Sequence, residues 1–509
     1  MNLKQNLETF ELHASTLATV YDKLTKNIAN KLSLGLLKIA FATNLDGFHV
    51  LSFGFLRCVM LAGWSPESWQ GHAIAQQPTY DDPALLASVL EQLRKLPPLV
   101  TSWEVDHLRT ELAAAQQGKA WLLQGGDCAE MFEGCQSEPI ASKLKVLLQM
   151  SLAIVFGARC RIIRLGRMAG QYAKPRSSDM ETRDGVTLPC YRGDLINDNE
   201  FTPASRNPDP MRLLRGYERS ALTMNFIRGL SEGGFADLHH PENWNLVFVN
   251  QVSGEVAQRY QRLLQSLGDS IRFMETIAGA DPKDLRRVDF FTSHEALHLA
   301  YESALTRPSV RGTGYYNLST HLPWIGDRTR DLKGAHIEYF RGIRNPIAVK
   351  VGPSMGIDQL VEMVNLLNPA NEPGRLTLIH RMGRNKIASS LPPMIERLRG
   401  LNKRVLWICD PMHGNTVSTQ HGRKTRRFDD ICAELKLAFE IHSACDSRLG
   451  GAHLELTGEN VTECTGGAAG LTEFDLGAAY QTQLDPRLNY EQALEVAFEI
   501  AEHLRNGWK

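Results

Sequence analysis

The sequence contains no closely paired cysteines. Its nine cysteines, at 58, 128, 135, 160, 190, 409, 432, 445 and 464, are odd in number and never closer than seven residues. That excludes the CxxC spacing of zinc ribbons and thiol–disulfide exchange, and scattered single thiols suit a reducing compartment better than a disulfide framework. Surplus charge is missing too. The 56 Lys+Arg against 57 Asp+Glu leave a formal charge of −1, whereas a dedicated nucleic-acid binder carries a strongly basic domain. The aromatic residues make no stacking platform for single strands. The most apolar stretch, 36–63, is interrupted by Lys38, Asp46, His49 and Arg57, and a spanning helix needs about 20 mostly apolar residues. No basic start with an apolar core and a small-residue cleavage site is found, and Glu8 and Glu11 count against a transit peptide. These absences predict a cytoplasmic protein that takes neither nucleic acid nor membrane as partner.

Nucleotide-binding turns are also lacking. Gly422-Arg423-Lys424-Thr425 looks like the end of a P-loop, but Val417 stands where the first glycine is required. No strand end carries GxGxxG.

What remains is an ordinary globular composition, 43% hydrophobic and 22% charged, over 509 residues. That length admits several domains or one large α/β barrel with additions. Residues 1–62 read as an atypical extension. Residues 63–118 read as helices packing on a barrel: Asp82-Pro83 opens an amphipathic run that Pro97-Pro98 stops, and a second helix spans Glu104 to Gln116. Residues 119–509 then carry eight short apolar runs, most of them separated by helical stretches. They are AWLLQGGDC (120–128), RCRIIRLGRMAGQ (159–171), RVDFFTSHE (287–295), HLPWIGDR (321–328), PIAVKVGP (346–353), RLTLIHRMG (375–383), RVLWICDPMHG (404–414) and AHLELTGE (452–459). Continuous rather than alternating apolar strands are what a parallel sheet buried on both faces requires, and eight of them predict a (β/α)₈ TIM barrel. A long insertion between the second and third runs, about 180–285, begins as a polar loop and continues as helices.

Barrel enzymes assemble their sites at the carboxyl ends of the strands. Two chemistries meet there. Arg167, Lys174, Arg328, Lys350 and Arg381 form a cationic set suited to a ligand carrying phosphate and carboxylate, because guanidinium forks match such oxygens. Pairing with rim acids is the bland alternative. Cys128, His413, Glu455 and Asp485 form a mixed S/N/O set that suits one divalent ion such as Mn²⁺, Co²⁺, Fe²⁺ or Zn²⁺ better than Ca²⁺ or Mg²⁺. Each alone has a bland reading as well, and only the barrel brings the four together. The run RKTRR (423–427) reads as a solvated face, TGGAAG (465–470) as a tight turn, and His239, His240, His294 and His298 as core or surface histidines.

The motifs QGGDCAE (124–130), RLGRMAGQYAKPRS (164–177), LPWIGDRTR (322–330), NPIAVKVGP (345–353), IHRMG (379–383), CDPMHGNT (409–416), GGAHLELTGENVTEC (450–464) and LDPRLN (484–489) closely resemble type II (plant-like) 3-deoxy-D-arabino-heptulosonate 7-phosphate (DAHP) synthase. The resemblance runs in order from about Trp64 to the C-terminus. It implies a metal-dependent barrel enzyme that condenses phosphoenolpyruvate with erythrose 4-phosphate and water, the first step of the shikimate pathway. By similarity, Cys128, His413, Glu455 and Asp485 match the family's metal ligands. Arg167, Arg328, Lys350 and Arg381 match residues that hold phosphoenolpyruvate, with Trp324 and Asp327 beside it. Lys174 and Ser177 match positions near the aldose phosphate. Lys350, Lys174 and Arg167 are the candidate catalytic residues. Asp327 departs from the pattern, which more often has glutamate there, and its reach is one methylene shorter. The resemblance also implies a homo-oligomer, dimer or tetramer, with aromatic amino acids as effectors. Two rival functions are a barrel synthase for another aldose phosphate and a non-catalytic paralogue; the latter would lack a ligand or an arginine, and none is missing.

Overall fold

A computed structural model describes residues 63–233, 256, 258–265, 288–310, 312 and 314–507. The chain divides into Met1–Met60 and Leu61–Lys509, and the following concerns the second unit. The extension read at 1–62, His239 and His240 lie outside the described residues.

Eight parallel strands close into a barrel. They are β1 (Trp121–Gly126), β2 (Ile162–Arg167), β3 (Phe291–Glu295), β4 (Leu322–Ile325), β5 (Ile347–Val351), β6 (Leu376–His380), β7 (Leu406–Cys409) and β8 (Leu449–Glu455). They neighbour one another in chain order, and β1 pairs with β8 to seal the ring. All eight apolar runs in the sequence therefore become barrel strands. Their side chains alternate between two cores, as strand geometry dictates. Leu122, Ile163, Leu165, Phe291, Leu322, Trp324, Ala348, Ile379, Leu406 and Ile408 fill the lumen, while Leu123, Ile162, Val349, Leu378 and Trp407 meet the surrounding helices.

Two helices precede the barrel. In α1 (Pro83–Lys95) the Asp82 side chain accepts from Leu85 N at 2.8 Å, with proline at the first helical position. In α2 (Ser102–Gln116) a capping box starts the helix two residues earlier than the apolar spacing implies: Glu104 accepts from Thr101 N at 2.7 Å, and Thr101 Oγ1 accepts from Glu104 N. Leu108, Leu112 and Ala115 of α2 join the lumen cluster. The helix thus packs against the lumen side chains, leaving ligand access to the other face.

Among the described residues, α3 (Ser137–Ala158) is the one helix long and apolar enough to cross a membrane, but 67% of its most apolar window is buried. It packs as the barrel's first outer helix, against β1, β2 and α10 (Tyr490–Gly507). The outer layer between them includes α4 (Met211–Glu232), α5 (Leu299–Ala304), α6 (Ala335–Gly342), α7 (Ile357–Leu367), α8 (Ile387–Gly400) and α9 (Phe428–Ala444).

The insertion differs at its start from the polar loop expected there. Met180–Arg183 pairs with Val186–Pro189 as an antiparallel hairpin. Its turn is Asp184-Gly185, with φ of 48° and 79°, the left-handed pair that Asp-Gly adopts readily in two-residue hairpins. Helical structure follows in α4 and at 258–265.

Candidate active site and metal centre

The barrel register assembles the site. Gly126, the last residue of β1, is the register partner of Arg167 on one side and of Glu455 on the other. Its φ is 145°, and a Cβ there would lie 2.7 Å from the Arg167 carbonyl oxygen. Only glycine lets the chain turn here and deliver Cys128 beside Arg167 and Glu455.

Cys128 Sγ and carboxylate oxygens of Glu455 and Asp485 lie within 4.8 Å of one another. His413 completes the set, with Nε2 3.1 Å from Glu455 Oε1. Its other nitrogen, Nδ1, bonds Asp410 Oδ2 at 2.7 Å, which aims Nε2 at the acids. Cys128 lies hundreds of positions before the other three in sequence, yet the donor atoms share one pocket. Lys174 supplies the positive charge the pocket demands. Its Nζ is 2.6 Å from Cys128 Sγ, 3.1 Å from Glu455 Oε1 and 3.2 Å from Asp485 Oδ2. A cation already sits where a metal ion would be held, and the soft sulfur, imidazole and two carboxylates suit a divalent transition ion.

Electrostatics agree with that reading. Burial, reinforced by Glu455 and Asp485, pushes the Cys128 thiol up to about 12 against the pull of Lys174. A thiol this reluctant needs a stronger local cation to become a ligand. Burial alone would raise Glu455 and Asp485, but the neighbouring cations overcome it. His413, Lys174, Arg426 and Arg167 hold Glu455 well below the usual carboxylate range, and Lys174 and Arg426 do the same for Asp485.

The cationic residues divide into paired and unpaired groups. Arg167 is fully enclosed. It donates to the carbonyls of Asp127 (3.0 Å) and Cys128 (2.9 Å), to Glu455 Oε1 (3.0 Å) and to His453 Nε2 (2.5 Å). Its guanidinium lies 5.3 Å from the Trp324 ring centre. Burial holds His453 well below its ordinary value, with help from Lys350 and Arg167, so it meets the arginine as a neutral acceptor. Lys350 pairs with Asp410. Burial pulls its ammonium down to about 8, Asp410 opposing and Arg167 and Arg381 assisting. Arg381 and Arg328, by contrast, have no ion-pair partner among the described residues. Arg381 makes one long contact, Nη2 to the His413 carbonyl at 3.4 Å. Arg328 is exposed at the rim, as is Ser177. Asp327 turns to Arg330, accepting from its Nε at 2.9 Å. Asp327, Arg381, Gly352, Gly383 and Lys386 line a cavity of about 260 Å³ at this face.

The solvated-face reading of RKTRR needs correction. A hairpin, Thr416–Ser418 against Lys424–Arg426, folds back from β7 onto the site. Arg426 is wholly buried and pairs with Glu455 Oε2 at 2.8 Å, and Lys424 reaches Asp485 Oδ1 at 2.8 Å. Alternation along that short strand was the available signal, since it sends Lys424 and Arg426 to the same face. His453, Glu295 and Arg330 also escaped the sequence reading, and Asp410, noted there as following the seventh strand, had no role assigned. Glu295, at the end of β3, is held up by burial despite Lys174 and Lys350 nearby. His294 and His298 are buried core histidines as expected: His294 bonds Glu302 at 2.8 Å and His298 meets Tyr80 at 2.9 Å. The TGGAAG segment is a turn, with positive φ at Gly466, Gly467 and Gly470.

The sequence matches the class-II DAHP synthetase family over residues 64–501. It is 49% identical over 463 residues to a phospho-2-dehydro-3-deoxyheptonate aldolase of Neurospora crassa, covering 88% of this chain and 95% of that protein. A Streptomyces coelicolor protein of the same name is 48% identical over 439 residues, covering 86% of this chain and 97% of its own length. A solved structure of the Francisella tularensis protein so named overlaps with a TM-score of 0.41 at 14% identity, over 82% of this chain and 96% of that one, and adds nothing to the argument. With the match running from Trp64 through the barrel and into its last helix, the chain belongs to the class-II DAHP synthetase family.

Proposed function

We propose that this chain catalyses the condensation of phosphoenolpyruvate with D-erythrose 4-phosphate and water to give DAHP and inorganic phosphate. The observation that carries the reading is the placement of Arg381 and Arg328, two cations with no acid partner among the described residues, beside a largely buried thiol–imidazole–carboxylate set. The second substrate class suits the same mouth, where Lys174 and Ser177 lie on one segment. The methylene carbon of phosphoenolpyruvate attacks the aldehyde carbon, forming the new C–C bond. Water adds at the adjacent carbon, and the bond from that carbon to the phosphate oxygen breaks.

Cys128, His413, Glu455 and Asp485 would hold a divalent ion, Mn²⁺, Co²⁺, Fe²⁺ or Zn²⁺, whose chemistry when bound is to polarise the aldehyde carbonyl. The side chains do the rest. Arg167, Lys350, Arg381 and Arg328 neutralise the phosphate and carboxylate of phosphoenolpyruvate and orient it, and Trp324 walls it from below. Asp327 fixes Arg330 at the mouth, which gives the shorter acid a positioning role. Lys350 and Lys174 are the groups placed to hold or release a proton. The setting is the shikimate pathway in the cytoplasm, in a dimer or tetramer that responds to aromatic amino acids.

Turnover of the two substrates by the purified chain, with chelator and with added Mn²⁺ or Co²⁺, tests this. Metal-dependent release of phosphate with formation of the seven-carbon acid is expected. No product under any metal condition would end the reading.

A further inference from the structure

A second group of metal-type donors lies outside the lumen. His380 closes β6, Cys409 closes β7, and the two are register partners. Ile379 and Ile408, their neighbours, point into the lumen, while Cys409 joins the cluster beneath the outer helices. Over that spot α9 lays Glu434. One donor atom each from His380, Cys409 and Glu434 lies within 4.8 Å of the others. All three residues have 0% exposure.

The hydrogen-bond inventory points independently to a missing ligand. Neither ring nitrogen of His380 has a hydrogen-bond partner among the described residues. A neutral imidazole offers one N–H and one lone pair, and leaving each unmet in the interior is unfavourable. Next to it stands His442, also on α9, with ring centres 5.8 Å apart. Its Nδ1 meets Ser447 Oγ at 3.0 Å, and its Nε2 is likewise unpartnered. Two adjacent buried imidazoles thus present three unpaired nitrogens beside a thiol and a carboxyl.

We propose that His380, Cys409 and Glu434 form a second, structural site for a divalent ion of the Zn²⁺ or Co²⁺ class, with neighbouring His442 drawing in as the fourth donor when the ion binds. One sulfur, two imidazoles and one carboxylate is a borderline-soft set of four, the number a closed tetrahedral site needs. Binding would release the Cys409 proton and neutralise the ion with one thiolate and one carboxylate.

The location explains what such a site would do. Glu434 Oε1 accepts from Met382 N at 3.0 Å and Gly383 N at 2.9 Å, and its Oε2 accepts from Asn415 Nδ2 at 2.7 Å. Those residues directly follow Arg381 and His413. An ion here would lock the two loops that carry them, from behind the barrel wall and without touching substrate.

The full-length chain, saturated with Zn²⁺ and freed of excess by gel filtration, should retain two metal ions per chain by elemental analysis. One ion per chain overturns the proposal. With Co²⁺, the sulfur-to-metal charge-transfer absorption should persist in Cys128→Ser and vanish in Cys128→Ser/Cys409→Ser. Loss already in Cys128→Ser, or persistence in the double variant, refutes it. Should the double variant fail to fold, His380→Ala in the Cys128→Ser background must lose the same band. These readouts are independent of turnover, so failure of the proposed reaction would leave them standing.

Discussion

Asp127 and Arg487 are 360 residues apart and meet at 2.7 Å. Each adjoins a candidate metal ligand, Cys128 in one case and Asp485 two residues back in the other. Lys143 of α3 also pairs with Asp127, and Arg487 makes further bonds to Glu463 at 2.7 and 3.0 Å. The ionic knot therefore joins the chain ends of the ligand set, behind the ligands themselves. Removing one partner of a buried pair leaves uncompensated charge and costs about 3–5 kcal/mol. Arg487→Ala should lose about that much in denaturant unfolding, and it should weaken metal binding by spreading Cys128 and Asp485 apart. Unchanged stability together with unchanged metal affinity would contradict the knot's role.

Asp410 gives a narrower test. Of Cys128, His413, Glu455 and Asp485 its side chain touches His413, through Nδ1 and through the backbone N–H at 3.2 Å, besides pairing with Lys350 and accepting from Met412 N at 3.0 Å. Loss of such outer partners usually costs about 10–100-fold in metal affinity. Asp410→Asn should fall in that range by competition with a chromogenic chelator, with its circular dichroism intact. Affinity equal to that of the parent would remove Asp410 from the site.

The position of Lys350 makes activity depend on pH in a definite direction. Its ammonium, lowered to about 8 by burial, is present below that pH and lost above it. kcat/KM for phosphoenolpyruvate should therefore decline above about pH 8. Lys350→Arg keeps its charge at every accessible pH, so whatever activity it retains should lack this limb. Stability moves the opposite way. Between about 8 and the unperturbed lysine value near 10.4 the unfolded chain binds the extra proton, so this group's contribution to stability rises with pH. A falling rate in that window is thus separable from unfolding. A flat kcat/KM profile from pH 7 to 9.5 would refute the assignment.

Legibility of the fold followed the physics of each signal. Parallel strands buried on both faces leave continuous apolar runs, so β1 to β8 stand out, and the polar residues ending them gather at one face because strand direction decides it. Ligands spread from Cys128 to Asp485 became a group only once the barrel closed. The hidden part was charge that folds inward. Arg426 sits in RKTRR, whose local composition matches a solvated surface, and only the hairpin pairing Thr416 with Arg426 turns it toward Glu455. His453 and His380 were unreadable for another reason: one isolated histidine in an apolar strand has no pattern to betray which core it faces. The Asp-Gly turn of the 180–189 hairpin was readable and was outweighed by the polarity around it.

Arg426 also yields the sharpest contrast between metal-free and metal-loaded protein. Its Nη1 pairs with Glu455, and the same group bonds the carbonyl of Pro486, next to Asp485. Its Nε donates to Thr416 Oγ1 at 2.9 Å. One side chain thereby ties β8, the Asp485 segment and the stretch after His413, while offsetting the negative charge of buried Glu455 and partly buried Asp485. When the site holds no ion, Arg426 and Lys174 share that compensation with Arg167 on Glu455 and Lys424 on Asp485. A bound divalent ion would take over most of it. Arg426→Met keeps the volume and removes the charge, so its destabilisation, about 3–5 kcal/mol for a broken buried pair, should be largest in chelator and shrink when the ion is restored. Thermal unfolding of parent and variant, each with EDTA and with Mn²⁺, measures the difference. An equal loss in both conditions would mean that Arg426 serves packing alone and not the charge balance of the ligand set.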